Sequence, residues 1–276
     1  MKIEFNDVSF KYDKNKKVLK NINLSFDKSE IVFVMGHTGS GKSTLVQHIN
    51  GLLLCDDGEV KVNFNDNNFS LSKKDKPNNI NALRKEIGMV FQFPEYQLFE
   101  TTVLKDVMFG PYNFYKDEKL AKKMAKAALE KMGIKDNFYK KSPFDLSGGE
   151  KRKVAIAGVL ASNPSVLVLD EPTSSLDPAA TKEVMELVKS LKEEGKLIIV
   201  ISHDTDLCYE YADRVIIMAD GEVVKDCSVE EAFNDGQLED KTGLMKPFVY
   251  KVKKAMKIKN ENVRNVDDLK EVIGNV

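Results

Sequence analysis

Tryptophan is absent from the 276 residues, and cysteine and histidine occur three times each. Cys55, Cys208 and Cys227 are odd in number and lack metal-ligand spacing. That excludes a disulfide scaffold and reads as free thiols in a reducing cytosol. His37 and His48 likewise fall in no metal-binding pattern. Long apolar runs are missing: none approaches the ~18 residues a membrane helix requires. Met1-Lys2-Ile3-Glu4-Phe5-Asn6-Asp7 carries no apolar signal segment, so a role in membrane transport would fall to a soluble subunit. No excess of one charge exists either. A formal net charge of −1 gives no whole-chain argument for nucleic acid or an anionic membrane surface. Internal repeats and low-complexity tracts are also lacking. What remains is a chain with room for one large α/β domain and an appendage.

The most informative stretch is Gly36-His37-Thr38-Gly39-Ser40-Gly41-Lys42-Ser43-Thr44. It fits the G-x-x-x-x-G-K-[ST] phosphate-binding loop from Gly36 to Ser43. Ile31 to Met35 reads as a short buried strand before it, and Leu45 to Leu54 as a helix continuing after it. Glycines let backbone wrap closely around phosphate. Successive N–H groups and the positive helix end then face the anion. In such a loop Lys42 reaches the β/γ-phosphates and the Ser43 hydroxyl sits on Mg²⁺. This is a nucleotide site.

Along the chain, Ile3 to Tyr12 and Ile22 to Phe26 alternate apolar with polar residues, as half-buried antiparallel strands do. Lys14 to Lys20 reads as a basic, solvated hairpin. Gly58 to Phe64 is a further strand, Asn65 to Asn79 a polar surface loop, and Leu83 to Ile87 a helical turn before the strand Gly88–Gln92. A mostly helical insert follows, with helices expected over Val103–Phe109, Asp117–Met132 and Ser147–Ala161. Lysines from Lys119 to Lys131 read as a solvated face. Strands resume at Val166–Leu169 and Lys196–Ile201, with a helix from Asp177-Pro178 to Gly195 between them. Such alternation implies a mostly parallel sheet. Arg214–Met218 and Glu222–Lys225 form a hairpin across Asp220-Gly221, and Ser228 with Glu231 makes a capping box. Beyond about Gly236 the composition turns Lys-rich and amphipathic. Phe248, Val252 and Met256 share one helical face, read as packing in a subunit interface or against the chain's own domain, with an interfacial membrane helix as the alternative. Val266 to Ile273 forms a second helix.

The apolar run Val166–Leu169 ends in Asp170-Glu171, where ligand crevices of open α/β sheets lie. Asp170 suits Mg²⁺, directly or through water. Glu171 suits the task of polarising the water that attacks the γ-phosphate. Leu146-Ser147-Gly148-Gly149-Glu150 is a second glycine-rich helix start and a second potential anion site. One triphosphate does not need two such loops from one subunit.

Read together, these motifs resemble the ATP-binding cassette (ABC) family over most of Met1 to about Phe233. Leu146–Glu150 resembles its signature loop, Gln92 its Q-loop glutamine, Ser174-Ser175-Leu176-Asp177 its D-loop, and His203 its switch histidine. Tyr12 sits where the family places an aromatic against adenine. The resemblance implies a P-loop NTPase fold, α/β, with an antiparallel β subdomain and a helical subdomain at about 93–162. These form a nucleotide-binding domain over 1–235, followed by a C-terminal helical extension at 236–276 that adds subunit contacts. It also implies ATP and Mg²⁺ as cofactors. Gly36, His37, Thr38, Gly39, Ser40, Gly41, Lys42, Ser43, Thr44 and Gln92 would surround the nucleotide. Ser43, Gln92 and Asp170 would serve the metal, and Glu171, His203 and Lys42 the chemistry. Ser147, Gly148, Gly149, Glu150 and Asp177 would act in trans, since cassettes close head to tail over two ATP molecules.

The loop Gly36–His48 and the run Phe91-Gln92-Phe93-Pro94-Glu95-Tyr96-Gln97-Leu98-Phe99-Glu100 further resemble ATPase subunits of energy-coupling-factor importers. Ala155–Ala161 and the helical tail are similar as well. Those importers take up vitamins or transition metals such as cobalt or nickel. The resemblance implies a second ABC ATPase as homo- or heterodimer partner, a transmembrane coupling protein received near Phe93–Glu100, a membrane substrate-binding protein, and a peripheral place at the cytoplasmic face of the cell membrane. Nucleic acid is not among the implied partners. Another ABC importer, a soluble non-transport ABC ATPase and a non-catalysing structural partner remain as alternatives; Glu171 and His203 argue against the last. Glu150 stands where many members have Gln, and Ser174-Ser175 replaces a pair containing Gly or Ala. Both bear on the relative activity of the two composite sites.

Overall fold

The computed structural model describes residues 1–13, 16–64, 67–77, 79–234, 242–260 and 262–274. In chain order the elements begin β1 (Lys2–Lys11), β2 (Lys17–Phe26), β3 (Ile31–Met35), α1 (Lys42–Ile49), β4 (Asp57–Phe64), β5 (Asn67–Leu71), α2 (Ile80–Glu86) and β6 (Ile87–Val90). The helices α3 (Val103–Tyr115), α4 (Glu118–Lys131) and α5 (Gly148–Leu160) follow. Then come β7 (Val166–Asp170), α6 (Pro178–Glu193), β8 (Leu197–Ile201), α7 (Thr205–Tyr211), β9 (Arg214–Ala219), β10 (Glu222–Ser228) and α8 (Val229–Asn234). Two helices close the chain, α9 (Phe248–Met256) and α10 (Val266–Gly274). Two compact units result: Met1–Lys76 with Val188–Val276, and Pro77–Leu187.

In the first unit β2-β1-β4-β5 form an antiparallel sheet. Ile3 and Phe5 of β1 lie opposite Phe26 and Leu24 of β2, and all four are buried. The second sheet of this unit centres on β3, which pairs in parallel with β8 and β9, while β10 closes its edge antiparallel to β9. Every residue of β3 and β8 is buried. Strands covered on both faces must be apolar throughout, which is why these read as continuous hydrophobic runs rather than as alternation. Asp220 and Gly221, at φ 49° and 83°, make the expected turn between β9 and β10. In the second unit β6 pairs in parallel with β7, and α3, α4 and α5 supply the expected helical insert.

Several boundaries differ from the sequence expectations. The stretch expected as a loop from Asn65 contains β5, with Phe69 opposite Val62 and Leu71 opposite Val60. Its asparagines hide an edge strand that turns only two apolar side chains toward its neighbour. α1 stops at Ile49, short of Leu54, because Asn50 closes the cap and Gly51 turns to φ 66°. α3 runs past Phe109 to Tyr115 and keeps Pro111, buried, inside the helix. β6 ends at Val90, before Phe91 and Gln92, and β7 extends to include Asp170. The lysines of α4 do face solvent, opposite buried Ala121, Ala125 and Leu129. Lys14-Asn15 of the basic hairpin, Asn65, Asp66 and Asn78 of the expected loop, and the boundary at 235–236 lie outside the described residues.

The C-terminal helix corrects the reading of the Phe248/Val252/Met256 stripe. α9 buries Val249, Tyr250 and Lys253 instead, leaving Phe248 at 54% and Met256 at 50% exposure. Val252 is half-buried, so only the two ends of the stripe, Phe248 and Met256, fail to pack against the chain's own domain. A lysine becomes the buried face because its partners are inside. Lys253 Nζ lies 2.7 Å from Tyr209 Oη and 3.0 Å from Glu230 Oε1, and the Tyr209 hydroxyl donates to the same carboxylate oxygen at 2.6 Å. Burial, aided by Glu230, pushes the Tyr209 phenol far up, so it stays a donor. Lys253→Ala would remove the cation from this trio and leave the Tyr209–Glu230 bond alone; urea denaturation is expected to show a loss of about 1–3 kcal/mol.

Candidate active site

The loop after β3 is shaped before any ligand arrives. Gly36 has φ 146°, and a Cβ there would lie 2.1 Å from the Met218 carbonyl oxygen of β9. Only glycine fits that approach. Ser40 N donates to His37 O at 3.1 Å, and the Ser40 carbonyl accepts Gly221 N at 3.1 Å, which fastens the loop to the β9–β10 turn. Gly41 caps α1 in the left-handed region and offers no side chain to the first N–H groups. No capping side chain competes for those donors at this helix start. Lys42 Nζ donates to the carbonyls of Gly36 at 2.7 Å and His37 at 3.0 Å. Its charge is held inside the loop's curve. Ser43 is exposed on the first turn of α1, while Thr44 is buried and Ser40 Oγ is buried without a hydrogen-bond partner.

Tyr12 lies beside this loop. Its hydroxyl is 3.2 Å from Thr44 Oγ1, and its ring meets Phe10 edge-on at 4.9 Å while staying 62% exposed. His48, near the end of α1, is fully buried with Nδ1 2.7 Å from the Thr44 carbonyl. Burial lowers its pKa, so the ring is a neutral donor that supports α1. His37 is exposed, with Nδ1 2.9 Å from the Thr38 carbonyl. His203 follows β8 and is exposed; Ser202 N reaches the Val34 carbonyl of β3 at 3.4 Å. Asp204 then caps α7 by accepting Asp206 N and Leu207 N. The first unit therefore gathers Tyr12, Gly36–Thr44 and His203 around the C-terminal ends of β3 and β8.

The second unit carries the acidic pair. Asp170 is the buried last residue of β7, and Glu171 leaves the strand at φ 49°, a left-handed conformation uncommon for a non-glycine residue. The loop continues through Ser174, whose N donates to Glu171 O at 3.2 Å, to Ser175, also left-handed at φ 63°. Asp177 Oδ1 accepts Ala180 N at 2.9 Å and so caps α6. Gln92 is exposed just beyond β6, and Phe93 turns the chain at φ 55° into a short turn, Pro94–Gln97. Tyr96 and Phe99 are then 84% and 57% exposed. Asp106 accepts Phe99 N and Glu100 N at 2.9 and 2.8 Å and fixes the end of this segment. Burial pushes the Asp106 carboxyl up from its usual range, partly opposed by those two amides.

Ser147 caps α5 in a full capping box: its Oγ accepts Glu150 N at 3.3 Å, and Glu150 Oε2 accepts Ser147 N at 2.9 Å. The Ser147 hydroxyl also donates to Glu150 Oε2 at 2.7 Å, which holds this carboxyl below its ordinary value. Glu150 is thus a cap as well as a departure from the usual Gln, a role carried by the same Ser-x-x-Glu spacing that marks Ser228 and Glu231. Ser147→Ala should cost about 1 kcal/mol of stability by loss of the cap, visible as a lowered thermal midpoint. Gly148 and Gly149 are different from Gly36. A Cβ on either meets nothing within 4 Å, and neither has a positive φ. Nothing among the described residues requires glycine there. No motif marked Arg152, which forms an ion pair with Glu95 at 3.3 Å and keeps only 5% of its side chain exposed.

Comparison with known proteins agrees with these features. A family model described as ABC transporter matches residues 19–174. The energy-coupling factor transporter ATP-binding protein EcfA2 of Bacillus cereus is 43% identical over 264 residues, covering 94% of this chain and 89% of the relative. EcfA2 of Spiroplasma kunkelii is 42% identical over 282 residues, covering 98% and 91%. Among solved structures, cbiO1 from Clostridium perfringens, described as part of the ABC transporter complex cbiONQ, superposes with TM-score 0.74 at 35% identity over 93% of this chain and 98% of that one. A dimeric ATP-binding cassette in a post-hydrolysis state with ADP and Pi gives TM-score 0.72 at 31% identity, covering 82% of this chain and 98% of that one. The chain belongs to the ABC transporter family of ATP-hydrolysing subunits, and within it to the kind found in energy-coupling factor transporters.

Proposed function

We propose that this chain works as one of two paired ATPases that drive uptake of a vitamin or a transition-metal ion, and that each ATP is enclosed by residues of both subunits. The observation that carries the pairing is the pair Gly148 and Gly149, glycines at a helix N-terminus that nothing among the described residues demands. A close approach by something outside the chain accounts for them. The phosphates of a nucleotide held by the partner's phosphate loop have the right charge for a helix start whose N–H groups point outward. Ser147, Gly148, Gly149, Glu150 and Asp177 act in trans in this reading.

Within one subunit, Gly36–Thr44 wraps the phosphates, Lys42 neutralises the β/γ charge, and Tyr12 offers its exposed ring to the adenine. Glu171 orients and polarises the attacking water. His203 contacts the γ-phosphate as charge develops on it. The donors assigned to Mg²⁺ fit the ion: the Ser43 hydroxyl, the Asp170 carboxylate and the Gln92 amide are all hard oxygen ligands. Mg²⁺ is bound through one or two such groups plus the phosphates, whose charge it offsets when present. The domain division is a nucleotide-binding domain over 1–235, its helical part at about 93–162, and an extension at 236–276 whose exposed Phe248 and Met256 add subunit contacts.

Phe93–Glu100, with its outward Tyr96 and Phe99, receives a transmembrane coupling protein, which in turn holds a membrane substrate-binding protein. As a subunit of such an importer this chain would sit peripherally at the cytoplasmic face; no helix among the described residues is long and apolar enough to cross a membrane. Co-purification from membranes, with identification of every associated protein, tests the reading. Recovery of an ATPase and integral membrane partners is expected. Recovery of no integral membrane protein would favour a soluble, non-transport ATPase instead.

A further inference from the structure

We propose that Arg152 is a positioning residue for hydrolysis, tying the turn that follows Gln92 to the loop that presents Glu171. The inference rests on reading Glu171 as the group that orients water. Three segments of the second unit meet at this side chain. Arg152 Nη1 donates to the Ser174 carbonyl at 2.7 Å. Its Nε lies 3.3 Å from Glu95 Oε2, and Nη2 lies 3.5 Å from Glu95 Oε1. Glu95 belongs to the turn Pro94–Gln97, which begins at the left-handed Phe93 directly after Gln92. Arg152 itself stands on α5, one turn beyond the glycines of the helix start.

The loop it reaches needs holding. Glu171 and Ser175 are both left-handed, at φ 49° and 63°, and Ser174 lies between them. Two such residues within five positions persist only where surrounding contacts over-determine the backbone. Bonds within the loop include Ser174 N to Glu171 O and Leu176 N to Thr173 O, each at 3.2 Å. These close short turns within the loop itself. The guanidinium supplies an anchor from another element, and it is almost fully removed from water, with 5% of its side chain exposed against 19% for Glu95. A planar, five-donor guanidinium serves both partners in one fixed fork, a geometry that the three donors of a lysine, all on one nitrogen, do not reproduce. Movement of the Pro94–Gln97 turn therefore pulls on the carbonyl between the two left-handed residues, and so on the orientation of Glu171. Gln92, Glu95, Arg152, Ser174 and Glu171 form one mechanical path.

The test uses the full chain in its assembled complex. Arg152→Ala should lower kcat for ATP about 10- to 100-fold, the scale expected for a misplaced catalytic group, with KM and the affinity of the isolated chain for a fluorescent ATP analogue unchanged. Arg152→Lys should recover only part of the loss. Glu95→Gln, a milder change, should lower kcat with the same split between kcat and KM. Unchanged kcat in Arg152→Ala, or a fall matched by lost nucleotide affinity and a collapsed melting transition, would overturn the proposal. Glu171→Gln is measured in parallel. If it retains full turnover, the underlying reading of Glu171 is wrong; if it is inactive while Arg152→Ala is not, the positioning role alone fails.

Discussion

Replacing Glu171 by glutamine is expected to abolish steady-state ATP turnover, by about a hundredfold or more, while nucleotide binding survives. The carboxylate leaves β7 immediately after buried Asp170, on a left-handed turn that fixes its direction. Glutamine keeps the size and most of the hydrogen bonding of the side chain but cannot polarise water as a base. General-base contributions amount to about 10²–10⁴ in rate. In the proposed site, phosphate grip belongs to a different set, Lys42 and the loop from Gly36 to Thr44, and is untouched by the change. Bound ATP should accumulate in a closed pair of subunits, seen as an ATP-dependent rise in mass by light scattering. Turnover at the normal rate would remove Glu171 from its role.

The second large effect is expected at Gly36. Alanine there would place a Cβ 2.1 Å from the Met218 carbonyl oxygen and 2.8 Å from Ser40 Oγ, at a backbone φ of +146°. Neither β9 nor the loop can yield without breaking the bonds that fasten one to the other, including Gly221 N to Ser40 O. Left-handed strain and overpacking cost about 1–3 kcal/mol each, so roughly 3 kcal/mol of stability should be lost, together with nucleotide affinity. Urea denaturation and titration with a fluorescent ATP analogue measure the two. An alanine variant of wild-type stability that still binds nucleotide would show that the loop is not built as described.

What could be read from the sequence follows from how strictly each part is constrained. The phosphate loop was legible because its glycines and its lysine answer to backbone geometry and charge at fixed spacing. β3, β7 and β8 were legible because strands buried on both faces permit little besides Val, Ile and Leu. β5 was not, since an edge strand needs only Phe69 and Leu71 turned inward and tolerates asparagine elsewhere. Periodicity located an apolar stripe on α9 but not the buried side. Lys253 is inside because Tyr209 and Glu230, on α7 and α8, await it there. Arg152 was invisible for a similar reason. An arginine at that place on a helix reads as solvated until Glu95 and Ser174, distant in sequence, are brought to it. Local signals reveal local demands. Partners contributed by remote segments become apparent only when the chain is folded.

The central claim, that this chain's glycine-rich helix start serves a nucleotide held by another subunit, is tested most directly at Gly148. A Cβ placed there meets nothing within 4 Å among the described residues. Gly148→Arg should therefore leave the melting transition and the isolated chain's binding of a fluorescent ATP analogue unchanged. ATP turnover of the assembled pair should fall by about a hundredfold or more, as expected when electrostatic stabilisation of the transferring phosphoryl group is removed. Full turnover in the pair, or loss of nucleotide binding by the isolated chain, would contradict the account.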